Sequence, residues 1–289
     1  MTFSMESMTL IAHLSDLHVI EDGHERRARA DRRRLSVLSL GRPLDRHGRR
    51  DRLLRGLRAA ERACADHVVI TGDLTEDGAD EQFSALADVL HQSPIAPERL
   101  TMVPGNHDAY SDGEAYSRAL AGPLASWART STPGSVTRLP GVAILAVSTA
   151  FRQHYLRSAG AIEAPILRAM QASVARLADR GDALVFALHH PPVPHTLAVT
   201  QWWDGLREHV EVGAILRSTE TVHALHGHSH FAADTVVRPG QPPRVFSCGA
   251  VVEREETLRL YRARDGRLIP LQAAARMAAP VRRAVTVPA

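Results

Sequence analysis

The chain contains no lysine; every one of its 35 Lys/Arg-type residues is arginine. Cysteine is nearly absent too. The two that occur, Cys64 and Cys248, are far apart in sequence, which excludes a C-x-x-C thiolate metal site and a disulfide-rich scaffold. Aromatic residues make up only 4% of the chain, and none interleaves with the arginine-rich stretch. A base-stacking surface for nucleic acid therefore has no support. No apolar run reaches the length of about 18 residues that a membrane-spanning helix needs. The first sixteen residues lack a basic segment followed by a long apolar one. A cleaved leader is not expected, and a reducing, cytoplasmic compartment is.

What is present is unevenly distributed. Residues 24–58 hold thirteen arginines against four acids, a local charge of +9. With a net charge of +3, the rest of the chain carries 3 − 9 = −6. A GC-rich coding sequence explains the choice of arginine over lysine, but not this clustering.

Hydrophobic residues form 44% of the chain, enough for a sizeable core. Short apolar runs at 9–16, 67–73, 99–108 (broken by Pro104-Gly105), 141–149, 183–190 and 221–230 (a strand and its loop) read as strands. Helical periodicity marks 79–92, about 114–124, 163–180 and 204–217. Asp51 reads as the N-cap of a further helix, with Leu53, Leu54, Leu57, Ala60 and Cys64 as its apolar stripe. Residues 233–263 read as antiparallel strands. The alternation predicts an α/β fold with a β-rich end. The expected domain spans 9–272, with a partly helical Arg-rich insertion at about 24–50 and a loose tail at 273–289.

Five strings carry the chemistry: Asp16 and His18 in HLSDLH, Asp73 in VVITGDL, Asn106 and His107 in VPGNHD, His189 in ALHHPP, and His228 and His230 in HGHSH. Most directly follow a predicted strand, where ligands bind in open α/β sheets. All are hard oxygen or imidazole donors, a set suited to two adjacent divalent or trivalent cations of the Mn, Fe or Zn kind. Cations about 3.5–4 Å apart form a common device for hydrolysing phosphate esters. Residues two apart in an extended segment point to one side, so Asp16 with His18, and His228 with His230, can each grip an ion. Asp73 has two oxygens and can bridge. His107 diverges from its neighbour Asn106 and suits an acid or a hydrogen-bond donor to substrate. The HHPP string offers His189 or His190, and HGHSH offers a third histidine, His226.

With these strings in this order, the chain resembles the calcineurin-like metallophosphoesterase superfamily, whose pattern is D-x-H, GD, GNH-D/E, H, GH-x-H. The resemblance covers roughly residues 9–250. It implies a four-layer α/β/β/α sandwich with a dinuclear metal site between two sheets. It assigns Asp16, His18, Asp73 and His230 to one metal, and Asp73, Asn106, His189 and His228 to the other. A hydroxide held by the metals would attack phosphorus in line. His107 would stabilise the transition state or protonate the leaving oxygen, and Asp108 would orient His107. Asn106, His107 and, from its place after PPVP, His195 are the expected substrate contacts.

The spacing resembles a bacterial branch of class III cyclic-nucleotide phosphodiesterases and glycerophosphodiesterases. The expected activity is hydrolysis of small phosphodiesters; the alternatives are a phosphomonoesterase or a UDP-sugar-lipid pyrophosphate hydrolase. The Arg-rich insertion departs from compact members. Three roles compete for it: a cap over an anionic substrate, an arm on an anionic membrane surface (with Leu35, Val37, Leu38 and Leu40), or a solvated or homo-oligomerising surface. A non-enzymatic scaffold would require missing ligands, and none is missing.

Overall fold

A computed structural model describes residues 8–177, 181–254 and 257–271. The expected tail and residues 178–180 of the predicted helix 163–180 lie outside them. The first half of the chain forms β1 (Thr9–Leu14), α1 (Arg29–Leu38), α2 (Arg46–Arg62), β2 (His67–Thr71), α3 (Asp80–His91), β3 (Leu100–Val103), α4 (Ala115–Ala121) and α5 (Ala128–Ser131). The second half forms β4 (Val136–Leu139), β5 (Val142–Ala146), α6 (Ala164–Leu177), β6 (Ala183–Ala187), α7 (Ala198–Asp204), α8 (His209–Ser218), β7 (Val222–His226), β8 (Ala233–Thr235), β9 (Val245–Ser247), β10 (Arg259–Arg264) and β11 (Arg267–Leu271).

The strands form two sheets, ordered β11-β10-β1-β2-β3 and β4-β5-β6-β7-β9-β8. Strands β1, β2 and β3 run parallel, as do β5, β6, β7 and β9. Side chains alternate across each strand, so both faces must be covered. On one face of the first sheet, Leu14, Ile70 and Met102 pack on Leu53 and Leu57 of α2 and Phe83 and Leu86 of α3. The opposite face sends Ile11, Val69 and Val103 against Ile144, Val185 and Phe246 of the second sheet. Beyond that sheet, Leu145, Phe186 and Ala224 meet Met170 of α6 and Val212 and Leu216 of α8. Each such fully buried Val, Leu, Ile, Phe or Met contributes about 1.5–3 kcal/mol. The result is the expected four-layer α/β/β/α sandwich.

Several local expectations are corrected. Helix α2 starts at Arg46, six residues before the predicted start, and its N-cap is Asp45, which accepts the Gly48 N–H at 3.0 Å. The predicted helix 204–217 starts later, as α8 at His209, and a further short helix, α7, which the sequence pattern did not announce, ends at Asp204. The third strand ends at Val103, at the break that Pro104-Gly105 predicts. The stretch 233–263 is not one antiparallel set. Strand β9 pairs parallel with β7, while β10 crosses to the other sheet and pairs antiparallel with β1.

The Arg-rich insertion is anchored rather than free. Arg27 and Arg34 both reach Asp77, at 2.8 and 2.9 Å, and Arg27 also binds Glu21 at 2.5 Å. Arg42 and the buried Arg49 bind Glu76. On α1, Leu35 and Leu38 face the protein interior, leaving only Val37 and Leu40 of the four apolar residues named for a membrane arm exposed. Among the described residues, no helix is long and apolar enough to cross a membrane.

Candidate metal centre

The carboxyl ends of five parallel strands converge. Asp16 follows β1, Asp73 follows β2, Asn106 follows β3, His189 follows β6, and His228 and His230 follow β7. Four of these residues, and His18 two places after Asp16, have left-handed backbones: Asp16 (φ 55°), His18 (50°), Asp73 (46°), His228 (67°) and His230 (57°). Side chains other than glycine seldom adopt this region. It occurs in the turns that leave β1, β2 and β7, and not at Asn106 or His189.

Two donor groups result, and they share Asp73. In the first, Asp16, His18, Asp73 and His230 bring one donor atom each within 4.8 Å of one another. His230 Nε2 is 3.4 Å from Asp16 Oδ1, and His18 Nε2 is 3.7 Å from Asp73 Oδ2. The second group centres on His189, whose Nε2 lies 3.4 Å from Asp73 Oδ1, 3.2 Å from Asn106 Oδ1 and 3.3 Å from His228 Nδ1. Backbone approach is essential at two glycines. A Cβ on Gly105 would overlap Asp73 Oδ1, and one on Gly227 would overlap Ser15 Oγ.

The donor set fits two cations. Asp16 Oδ2 and His18 Nε2, which faces Asp73, are buried without a hydrogen-bond partner, a costly state that a cation would relieve. His18, Glu76 and His107 also converge, but Arg42 and Arg49 already occupy the Glu76 oxygens.

The neighbouring histidines separate cleanly. His190 is excluded as a donor because Nδ1 pairs with Thr149 Oγ1 at 2.7 Å and Nε2 with the Ser158 carbonyl at 2.8 Å. His189 instead ties Nδ1 to the Thr71 carbonyl at 2.8 Å and leaves Nε2 to the centre. His226 is buried with Nδ1 against the Gly227 carbonyl, and burial lowers it to about 4.

Charge is strongly redistributed. Burial pushes the Asp73 carboxyl up, yet His189, His107 and His18 outweigh it and hold it well below the usual carboxylate range. Burial works against protonation of His189 and His230 as well. Asp73 nevertheless raises His189 to about 9, and Asp16 with Glu253 raises His230 to about 9. His18 goes the other way, well below its ordinary value, through burial and the nearby His107.

His107 sits at the mouth of the centre. Its backbone N–H donates to Asp73 Oδ1 at 3.0 Å, and its Nδ1 pairs with the Glu76 carbonyl at 2.6 Å. Nε2 is left facing Asp73 Oδ2 at 3.9 Å. The expectation that Asp108 orients His107 does not hold. Asp108 instead accepts the backbone N–H groups of Leu74, Thr75 and Gly105 and the Thr75 hydroxyl. Asn106 Nδ2 donates to Tyr110 Oη at 2.8 Å, which turns Oδ1 toward His189. His195 reaches only the edge: its Nε2 is 3.6 Å from Asp204 Oδ2.

Sequence reasoning missed Asp204 and Glu253. Asp204 Oδ1 accepts from His228 Nε2 at 2.8 Å, and Glu253 Oε1 from His230 Nδ1 at 2.6 Å. Neither acid sits in a recognisable string, and each lies over 20 residues from the histidine it touches.

This geometry has counterparts in known proteins. The calcineurin-like phosphoesterase family model matches residues 9–232, which include every strand-end donor. The chain belongs to the calcineurin-like phosphoesterase family. The family's name is that of phosphoesterases. A cAMP/cGMP dual specificity phosphodiesterase of Mycobacterium tuberculosis is 28% identical over 172 residues, 58% of this chain and 50% of that protein. The alignment thus spans half of the mycobacterial relative. A Rhodococcus erythropolis protein named "Probable cyclic nucleotide phosphodiesterase" is 28% identical over 82% of this chain and 69% of its own length. Among solved structures, a dimetal phosphatase from Danio rerio superposes with a TM-score of 0.63 at 15% identity, covering 92% of this chain and 98% of that one. A Thermus thermophilus protein superposes with a TM-score of 0.54 at 14% identity, covering 91% and 98%. At these identities the likeness to the solved structures is one of fold.

Proposed function

We propose that the chain is a dinuclear metal-dependent phosphodiesterase acting on small organic phosphodiesters, with cyclic nucleotides the first class to try. The observation that carries this reading is the sharing of Asp73. One of its oxygens faces His18 and the other faces His189, so one carboxylate joins two donor groups. Two ions held there would supply Lewis acidity to the phosphoryl oxygens and make water acidic enough to attack at neutral pH.

The remaining roles belong to this chain's own side chains. Asp16, His18 and His230 hold one side of the centre; Asn106, His189 and His228 hold the other. Because Nδ1 of His107 is committed to the Glu76 carbonyl, Nε2 is the nitrogen that meets substrate. As an imidazolium it donates a proton to the departing oxygen. The names of the two curated relatives support a diester over a monoester.

Space for the organic part of the substrate lies alongside. A groove of about 810 Å³ runs between α1 and residues 152–155, lined by Arg33, Arg152, Tyr155 and Tyr110. Its size is that of a small-ligand site. Tyr110 links it to the centre, with its ring 5.2 Å from that of His107.

The deciding experiment assays metal-stripped protein with bis-p-nitrophenyl phosphate and p-nitrophenyl phosphate, adding back Mn, Fe, Zn, Mg or nothing. Metal-restored turnover of the diester supports the reading. Turnover of the monoester alone overturns it in favour of a phosphatase.

A further inference from the structure

Both histidines of the His228-Ser229-His230 string have a carboxylate behind them. His228 turns Nδ1 inward and gives Nε2 to Asp204, while His230 turns Nε2 inward and gives Nδ1 to Glu253. The two acids come from separate places, Asp204 from the end of α7 and Glu253 from the turn after β9. A carboxylate on the outer nitrogen of a metal-binding histidine fixes its tautomer and orientation and strengthens it as a donor.

The first donor group has an additional support that the second lacks. Arg42, in the Arg-rich insertion, places Nη2 3.1 Å from Glu76 Oε1 and Nη1 4.0 Å from Glu253 Oε1. Glu76 in turn lies behind His18, with Oε2 3.5 Å from its Nδ1. One guanidinium therefore spans the carboxylates behind two histidines of a single group. Arg49 closes the arrangement by binding Glu76 and the His18 carbonyl, the latter at 2.7 Å. Among the described residues, the hydrogen bonds and ion pairs of the insertion reach neither Asp204 nor any donor of the His189 group.

We propose that Glu253 and Arg42 are positioning residues for the Asp16–His18–His230 group alone. The Arg-rich insertion thereby acts on the affinity of one metal position through histidines that the other does not use. The inference rests on the two-metal reading above. It gives the insertion a task that needs neither a membrane nor a direct contact with substrate. Arg42 holds Glu253 on His230 and Glu76 beside His18, and it balances the charge that these two acids add to Asp16 and Asp73.

The test is calorimetric titration of the metal-stripped full chain with Mn²⁺, paralleled by Co²⁺ absorption spectra. It uses wild type, E253Q, R42Q, D204N and the E253Q/D204N double variant. E253Q and R42Q should weaken one of two binding events by about 10–100-fold and leave the other in place, as expected for outer partners of a metal ligand. D204N should weaken the other event, and the double variant both. Activity of E253Q should return at raised Mn²⁺, which a folding defect would not permit, and E253D should restore part of the affinity. The proposal is overturned if E253Q binds both ions within about twofold of wild type, well inside that 10–100-fold range. It is also overturned if E253Q and D204N weaken the same event. A wild type that binds a single ion removes the two-metal reading and this inference together.

Discussion

Asp108 and Thr75 are joined twice: Asp108 Oδ1 accepts the Thr75 backbone N–H at 2.8 Å and the Thr75 hydroxyl at 2.7 Å. Its other oxygen takes the N–H groups of Leu74 and Gly105, so one buried carboxylate clamps the loop after β2 to the loop after β3. Asp73 and Asn106 ride on those two loops. Asp108→Ala would leave three buried N–H groups unpaired, each costing about 1–3 kcal/mol. The expected result is a loss of several kcal/mol in chemical denaturation, with a fall in metal affinity alongside it. Wild-type stability in this variant would show that the clamp is dispensable.

Proton donation by His107 has a kinetic signature. General acid catalysis is worth about 10²–10⁴-fold, and it matters most when the departing oxygen is a poor leaving group. His107→Ala should therefore lose about 10²-fold or more on an alkyl phosphodiester and much less on bis-p-nitrophenyl phosphate. Equal losses on both would assign His107 to charge stabilisation instead.

The raised histidines make a prediction about pH. In metal-free protein, His189 and His230 titrate near 9 when folded, against about 6.5 when unfolded. Between those values the folded state binds more protons, so this stabilisation is complete below about pH 6.5 and is lost as pH rises through 9. The melting temperature of stripped protein should fall over that window. Metal must displace the same protons. Calorimetry near pH 7.5 in buffers of different ionisation enthalpy should therefore show release of about two protons, one from each histidine. A melting temperature that rises with pH would contradict the assignment.

Arg49 is 1% exposed and holds Glu76, His18 and Pro43 together. Removing one partner of a buried ion pair costs about 3–5 kcal/mol. Arg49→Ala should lose stability on that scale, whereas Arg29→Ala, on the exposed start of α1, should change it by less than about 0.5 kcal/mol. Urea denaturation of the two variants side by side measures the contrast.

The groove beside Tyr110 can be tested by substrate choice. Arg33 and Arg152 line it, alongside Asp31 and Arg34. The R33S/R152S double variant should raise KM for nucleotide diesters and leave turnover of bis-p-nitrophenyl phosphate nearly unchanged. Unaltered nucleotide KM values would place the organic group elsewhere.

The strand framework and the donors were legible because short apolar runs end in polar residues at the same places the backbone turns over the sheet. What stayed hidden depends on contacts across the fold. Strand β4 is a four-residue edge strand, half exposed, and carries too little apolar signal. The start of α2 was misplaced because its first two turns are polar and anchored by Arg49, and a buried arginine cannot be told from a solvated one in sequence. Asp204 follows the tryptophan pair at the end of a short helix with no buried residue. Glu253 sits in a turn. Only the closed fold brings these two acids to the HGHSH histidines.

The left-handed backbones at Asp16, His18, Asp73, His228 and His230 have a consequence for how this centre could be lost. Glycine accepts that conformation freely, whereas a residue with a Cβ pays of order 1 kcal/mol or more at each position. At five separate points, therefore, the amino acid best suited to the chain path differs from the one best suited to a cation. Drift toward glycine would relieve that strain at each of them, and what opposes it is use of the metals together with the hydrogen bonds these side chains make, such as Asp73 to the His107 N–H and Asp16 to the His228 N–H.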